Sequence, residues 1–392
     1  MTKLKSLKNK DVNYLTKMRR IYVDHAATTK LSAKAFEAMK RYYIDDYFNP
    51  STLYSDANIC RRALADAREC IAKCIGAQPN EIIFTSGGTE ADNCVIKNIA
   101  FNESNNRRTI ITSQIEHHAI LNSCKIMENL GYPVIYLPVS KDGTILLDAL
   151  EAEINADTAL VSVMYVNNEI GTIQNIKDIA EISHKAGAIF HTDAVQAIGH
   201  IEVNVKKMDI DMLSASAHKF NGPKGVGFLY KKDAIKMNSY ISGGNQEFNL
   251  RAGTENVAGI VGMAVALKEN VNNIKANTQY LLELEEIFIR QLKEYEIDFI
   301  RNGSINKCPG NISISFPGIS GEMILHRLDL KGVQIATGSA CDSKNLQLSH
   351  VIKAIGVPEL YAKGTIRISL GTENTIDDMI YIAKELANII HK

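Results

Sequence analysis

The sequence predicts an α/β layer fold with a mostly parallel sheet between helices, followed by a smaller α+β domain, on three observations. From about residue 32, helix-period segments alternate with short apolar runs. Polar turns follow several of those runs at once, and a long helical pattern then leads into a second, sparser set of strands. Strands separated by helices imply βαβ units and a sheet buried on both faces. In order, the runs are EIIFTS, RTIITSQ, YPVIYLPV, ALVSVMYV, AIFHTDA, MLSASA and GVGFLY, which makes a seven-stranded sheet. The helical pattern covers about Asn256 to Glu296, and NISISF, VQIATG and TIRISL follow as strands between helices. These features place a larger domain at residues 19–275 and a smaller one at 276–392, with the segment around Ile21 to Lys30 packing against either. Open α/β sheets bind ligands beyond the carboxyl ends of their strands, so functional residues are expected just after the runs.

Composition narrows the class. Lysine plus arginine (44) equal aspartate plus glutamate (44), so no net field draws the chain to nucleic acid or to an anionic membrane. Its 45% hydrophobic content is that of a folded, cytoplasmic-type protein, and no apolar stretch approaches the ~20 residues of a membrane helix. The seven cysteines, at 60, 70, 74, 94, 124, 308 and 341, lack a paired Cys-x-x-Cys signature, which argues against a disulfide framework. Cys70 and Cys74 are one helical turn apart. They read as helix-face packing or as half of a metal site that no second pair completes, so no metal is expected. The first 18 residues are basic, with neither an apolar core nor a cleavage site, and read as a disordered extension or as upstream of a start at Met18.

Three turns carry the chemistry. After EIIFTS, the turn Gly87-Gly88-Thr89 opens a helix and offers backbone N–H groups and a hydroxyl to a phosphate, although such a turn serves equally as a plain connection. Asp193 ends the run AIFHTDA with Gln196 three residues on. Ser216, His218 and Lys219 precede the turn Asn221-Gly222-Pro223. Lys219 alone reads as a solvated loop lysine. Together, a lysine, a carboxylate and a phosphate cradle in separate βα loops suggest one cofactor, pyridoxal 5'-phosphate (PLP). It needs an amine for its Schiff base, an acid to keep its ring nitrogen protonated and an anion site.

The pieces YVDHAATT, TSGGTEADN, IEHHA, VMYVNNEIGTIQ, HTDAVQAIGH, SASAHKFNGPKGVG, RAGTENV, ATGSACDS and RISLG, in that order from Ile21 to about Gly371, strongly resemble the cysteine desulfurases of the NifS/IscS group, fold-type I PLP enzymes of the class V aminotransferase family. The resemblance implies PLP held by Lys219, with Asp193 at the ring nitrogen, Gln196 at the ring hydroxyl and His117 stacked on the ring. It implies phosphate contacts from Gly88, Thr89, Ser216 and His218, and from Thr254 of a neighbouring subunit in a homodimer. Asn168 and Arg367 would grip the substrate carboxylate, a planar guanidinium suiting two parallel hydrogen bonds.

Cys341 would be the nucleophile. It lies in the polar stretch GSACDSKNLQLSH, whose length matches the long-loop desulfurases and suits handover to a protein acceptor. The implied reaction converts L-cysteine to L-alanine, leaves a persulfide on Cys341 and passes the sulfur to an iron–sulfur scaffold or a tRNA-thiolation protein. A selenocysteine lyase and a non-catalytic scaffold paralogue are the alternatives. Two departures from the pattern stand out. Asp342 directly follows Cys341, where its charge would raise the thiol pKa, though screened in an exposed loop, and Asn249-Leu250 replace more basic residues before Arg251.

Overall fold

A computed structural model describes residues 20–101, 106–337 and 348–391. The expected N-terminal extension and Cys341 with its loop lie outside the described residues.

The seven runs form one sheet: β2 (Ile82–Thr85), β3 (Thr109–Ser113), β4 (Val134–Leu137), β5 (Thr158–Ser162), β6 (Ile189–Asp193), β7 (Met212–Ser216) and β8 (Gly227–Lys231). Their spatial order is β2-β8-β7-β6-β5-β3-β4, and only β8 runs against its neighbours. Every strand but β4 is buried almost end to end, as a sheet covered on both faces requires. One covering layer includes the helix Ala57–Ile75, with Cys60, Leu64 and Ile71 in the core. The other includes Gly88–Phe101 and His118–Asn129, through Val95, Ile96, Ile120 and Met127. Cys70 and Cys74 pack at the edge of the first layer.

The second core has a four-stranded antiparallel sheet, β12-β13-β10-β9, built from Ala336–Thr337, Thr365–Ser369, Asn311–Ser315 and Ile300–Asn302. The helix Ile376–Ile390 lies against it, started by a capping box in which Thr375 accepts from the Asp378 N–H and Asp378 answers. The run VQIATG divides into β11 (Val333–Gln334) and β12. Strand β11 pairs in parallel with β1 (Ile21–Tyr22), so the N-terminal segment joins the second core through Ile21 and Val23.

A single helix, Val257–Glu294, serves both cores. Its first turns bury Val257, Ile260 and Met263 against the large sheet, and its last bury Leu284, Phe288 and Leu292 in the smaller unit. The two units are therefore joined by one continuous helix. Among the described residues no helix is long and apolar enough to cross a membrane.

Candidate active site

The carboxyl ends of β2, β6 and β7 open into a cavity of about 330 Å³, closed on the far side by the second core through Arg367 of β13. Of the residues singled out in the sequence, the cavity is lined by Gly88, Thr89, His117, Asn168, Asp193, Gln196, Ser216, His218, Lys219 and Arg367. Residues scattered over 280 positions thus meet because parallel strands deliver their ends to one edge. Thr254 does not line this cavity; it is exposed, three residues after Arg251 on the loop that precedes the long helix.

The first N–H groups of Gly88–Phe101 have no intrahelical acceptor, and the residues of that first turn, Gly88 and Thr89, line the cavity. Gly88 is required there, since a Cβ would stand 2.5 Å from Val195 Cγ2. The carboxylate of Glu90 fixes the turn by accepting from the Ser86 N–H at 2.9 Å. His218 meets the Thr28 hydroxyl through Nδ1 at 3.1 Å, and burial lowers its pKa to about 4.

Lys219 Nζ donates to the carbonyls of Ala26 (2.6 Å) and Ala27 (2.9 Å), and Gln196 Nε2 donates to the first of these at 2.8 Å. The N-terminal segment HAATT is thus the clamp that holds the amine at the cavity wall. Asp193 Oδ1 accepts from the Val195 N–H at 2.9 Å, and burial raises its pKa. His117 caps its helix by accepting the Ala119 N–H at Nδ1, 3.1 Å away, so the proton of the neutral ring sits on Nε2, and burial lowers its pKa. Arg367 donates to the Asn168 carbonyl (3.0 Å) and to Asp24 (2.7 Å), while its buried Nε has no hydrogen-bond partner.

Sequence reasoning missed two buried acids of this site. Asp92 lies four residues after Gly88 on the same helix, and that i to i+4 spacing within TSGGTEADN was the available signal. It is fully buried, its pKa is raised by burial and then by Asp193, and its Oδ1 has no hydrogen-bond partner. Glu116 is pushed up to about 8 by burial, although it accepts from Ser113 and the Met164 N–H. Ser349 and His350, at the start of the last described segment, also line the cavity. Ser349 donates to Glu169 at 2.6 Å, and the His350 ring lies edge-on to His118 at 5.0 Å.

Asp92, His117 and Asp193 bring their ligand atoms within 4.8 Å of one another. Two buried carboxyls this close favour a positive charge nearby, and the cavity they face is sized for an organic group. A protonated ring nitrogen would supply that charge, the turn at Gly88 would offer N–H groups to an anion and Lys219 would offer an amine. The residues present therefore fit PLP from the ring end to the phosphate end.

The chain belongs to the aminotransferase class-V family, which it matches over residues 21–381. It is 47% identical to the cysteine desulfurase IscS of Dictyoglomus turgidum over 375 residues, 95% of each chain. Among solved structures it superposes on a NifS-like protein with a TM-score of 0.90 at 36% identity, covering 95% of this chain and 100% of the other. SspA in complex with cysteine matches with a TM-score of 0.80, also at 36% identity, over 89% and 98% of the two chains. Both likenesses cover the two cores together. The seven-stranded, mostly parallel sheet and the PLP-dependent class expected from the sequence are those of this family.

Proposed function

We propose that the chain is a PLP-dependent cysteine desulfurase that converts L-cysteine to L-alanine and carries the sulfur on Cys341. The observation that carries this reading is the convergence of Lys219, Asp193 and the Gly88–Thr89 turn on one cavity beneath a buried arginine. When bound, the cofactor supplies an electron sink for the pair released at the substrate α-carbon.

Each residue then has a task. Lys219 would hold the cofactor through its amine and would move the proton at the substrate α-carbon. Asp193 keeps a proton on the ring nitrogen, Gln196 meets the ring hydroxyl and His117 covers the ring. Gly88, Thr89, Ser216 and His218 hold the phosphate. Arg367 has an N–H to spare at Nε, which together with Asn168 orients the substrate carboxylate. The Cys341 thiolate attacks the substrate sulfur: an S–S bond forms as the C–S bond breaks, its electron pair goes to carbon, and protonation there yields the methyl group of alanine. The persulfide sulfur then passes to an acceptor of iron–sulfur cluster assembly or tRNA thiolation.

The unit is a homodimer in this reading. Thr254 is exposed and does not line the cavity of its own chain, while a buried oxygen of Glu255 lacks a hydrogen-bond partner. Nearby, Phe248 is exposed on an open groove shared by Pro50, Arg61 and Glu255. Tyr47, Leu53 and Tyr54 are exposed on the loop that leads into it. Such an apolar face suits a second copy, which would receive Thr254 at its phosphate site.

The test is an absorbance spectrum of purified protein before and after L-cysteine, with alanine and sulfide quantified in the same tube. A visible band that shifts with cysteine, together with stoichiometric alanine and sulfide under reductant, is expected. A band that responds without these products moves the function to another substrate, and a protein that stays colourless after PLP addition overturns the reading.

A further inference from the structure

We infer that residues 247–251 form a strap, held by Arg68–Glu247 and Glu90–Arg251, that positions Thr254 for the partner's phosphate site by tying its loop to the giving subunit's own phosphate turn. The inference rests on the dimeric reading above. Three consecutive non-glycine residues, Glu247, Phe248 and Asn249, have φ of 44°, 58° and 66°. Side chains disfavour this left-handed region, so such a run persists only where the surroundings impose it.

The surroundings are two arginine forks. Glu247 is buried and accepts from both terminal nitrogens of Arg68, at 2.8 and 2.6 Å, and from the Phe84 N–H at 2.8 Å. The Arg68 guanidinium lies over the rings of Phe84 (4.2 Å) and Phe248 (5.0 Å), so the strained run is pinned to β2 itself. At the other end Arg251 donates to both oxygens of Glu90, at 3.0 and 3.2 Å. Glu90 is the carboxylate that also takes the Ser86 N–H and so fixes the Gly87–Thr89 turn. One side chain therefore joins the turn that grips a phosphate in its own chain to the loop offered to the other. Only Ala252 and Gly253 separate Arg251 from Thr254, and the Gly253 N–H closes the loop onto Gln246 at 3.1 Å.

Mixed dimers separate this role from a local one. Chains carrying Lys219→Ala, which cannot attach cofactor, and also Glu90→Gln are paired with wild-type chains through distinct tags. The one working site then uses the wild-type turn and the variant chain's loop. PLP dissociation is read by absorbance. The expected affinity is about tenfold weaker than with Lys219→Ala alone, the loss of one charge-assisted fork, and in the direction of Lys219→Ala/Thr254→Ala. Arg251→Lys, which keeps the charge and loses the fork, is expected to do the same, with the unfolding temperature of the heterodimer unchanged. Unaltered affinity in intact heterodimers overturns the strap, and so does an affinity loss that merely tracks a lowered unfolding temperature in both variants. Chains that sediment as monomers and form no heterodimer overturn the dimeric reading instead.

Discussion

On the long helix, Glu285 meets Lys307 at 2.6 Å and also Arg301, and Lys307 donates in addition to the Asn311 carbonyl, so this buried charge is matched within the chain. At the cavity floor, Asp92, Asp193 and Glu116 are buried beside the half-buried His117, with His191 behind them 3.9 Å from Asp92, and burial pushes every acid up and both histidines down. In the first cluster burial pulls Lys307 down to about 7, yet Glu285, Lys307 and Arg301 each have a charged partner. The second holds three acids that burial drives toward the protonated form, and an Asp92 oxygen with no hydrogen-bond partner. Buried groups left unbalanced are expensive to a fold, and they are kept where a ligand or a reaction uses them.

The largest effect should therefore separate activity from stability. Asp193→Asn keeps the oxygen that accepts the Val195 N–H but removes the charge. Desulfurase turnover is expected to fall by roughly 10²–10⁴, the range for losing a proton-holding group. Stability without cofactor should hold or rise, because the variant relieves the crowding with Asp92. A stability loss as large as the activity loss would show that the floor is an ordinary structural cluster.

The matched cluster should respond the other way. Glu285→Ala strands the Lys307 ammonium in the core and is expected to cost about 3–5 kcal/mol in denaturant unfolding, with turnover per folded molecule unchanged. Glu285→Leu combined with Lys307→Met should recover most of it, since replacing a whole buried pair by apolar groups is often neutral. Arg301, about two-fifths exposed, can turn to solvent in that variant. A double variant no better than the single would mean that Glu285 acts through something other than charge balance.

The same contrast explains what was legible in the sequence. The strands of the large sheet could be read because burial on both faces makes them continuous apolar runs. The residues at their ends could be read because a parallel sheet puts each polar turn on one edge: Asp193, Ser216 and Gly88 follow directly. The second core was less legible. Strand β9, Ile300–Asn302, has one buried, one half-buried and one exposed residue, too short for a period to register, and β1 gains its meaning only from pairing with β11, 312 positions away. Asp92 and Glu116 were missed for a different reason. A buried acid looks in sequence like any exposed helix or loop acid, and only packing reveals that Asp92 faces Asp193. The left-handed run at Glu247 is equally silent, since no glycine announces it.

The smallest expected effect is a pair of opposed pH slopes at the floor. Burial pulls His191, held between the hydroxyls of Ser162 (2.8 Å) and Ser214 (3.0 Å), down to about 3. As pH falls below its unfolded value of about 6.5, the unfolded chain takes up a proton that the folded chain refuses, so stability drops by about 1.4 kcal/mol per pH unit until about pH 3. Glu116, raised to about 8, does the reverse. Above its unfolded value near 4.5 the unfolded chain has lost a proton that the folded chain keeps, so stability drops as pH rises, at the same slope, until about pH 8. Between pH 4.5 and 6.5 the two cancel, and each is unmasked outside that window. Glu116→Gln should therefore remove a decline of about 2 kcal/mol between pH 6.5 and 8, measured as the difference in urea stability from the parent protein. A difference that stays flat across that interval would mean that Glu116 is ionised in the folded protein, and hence that the floor already holds the positive charge that its acids require.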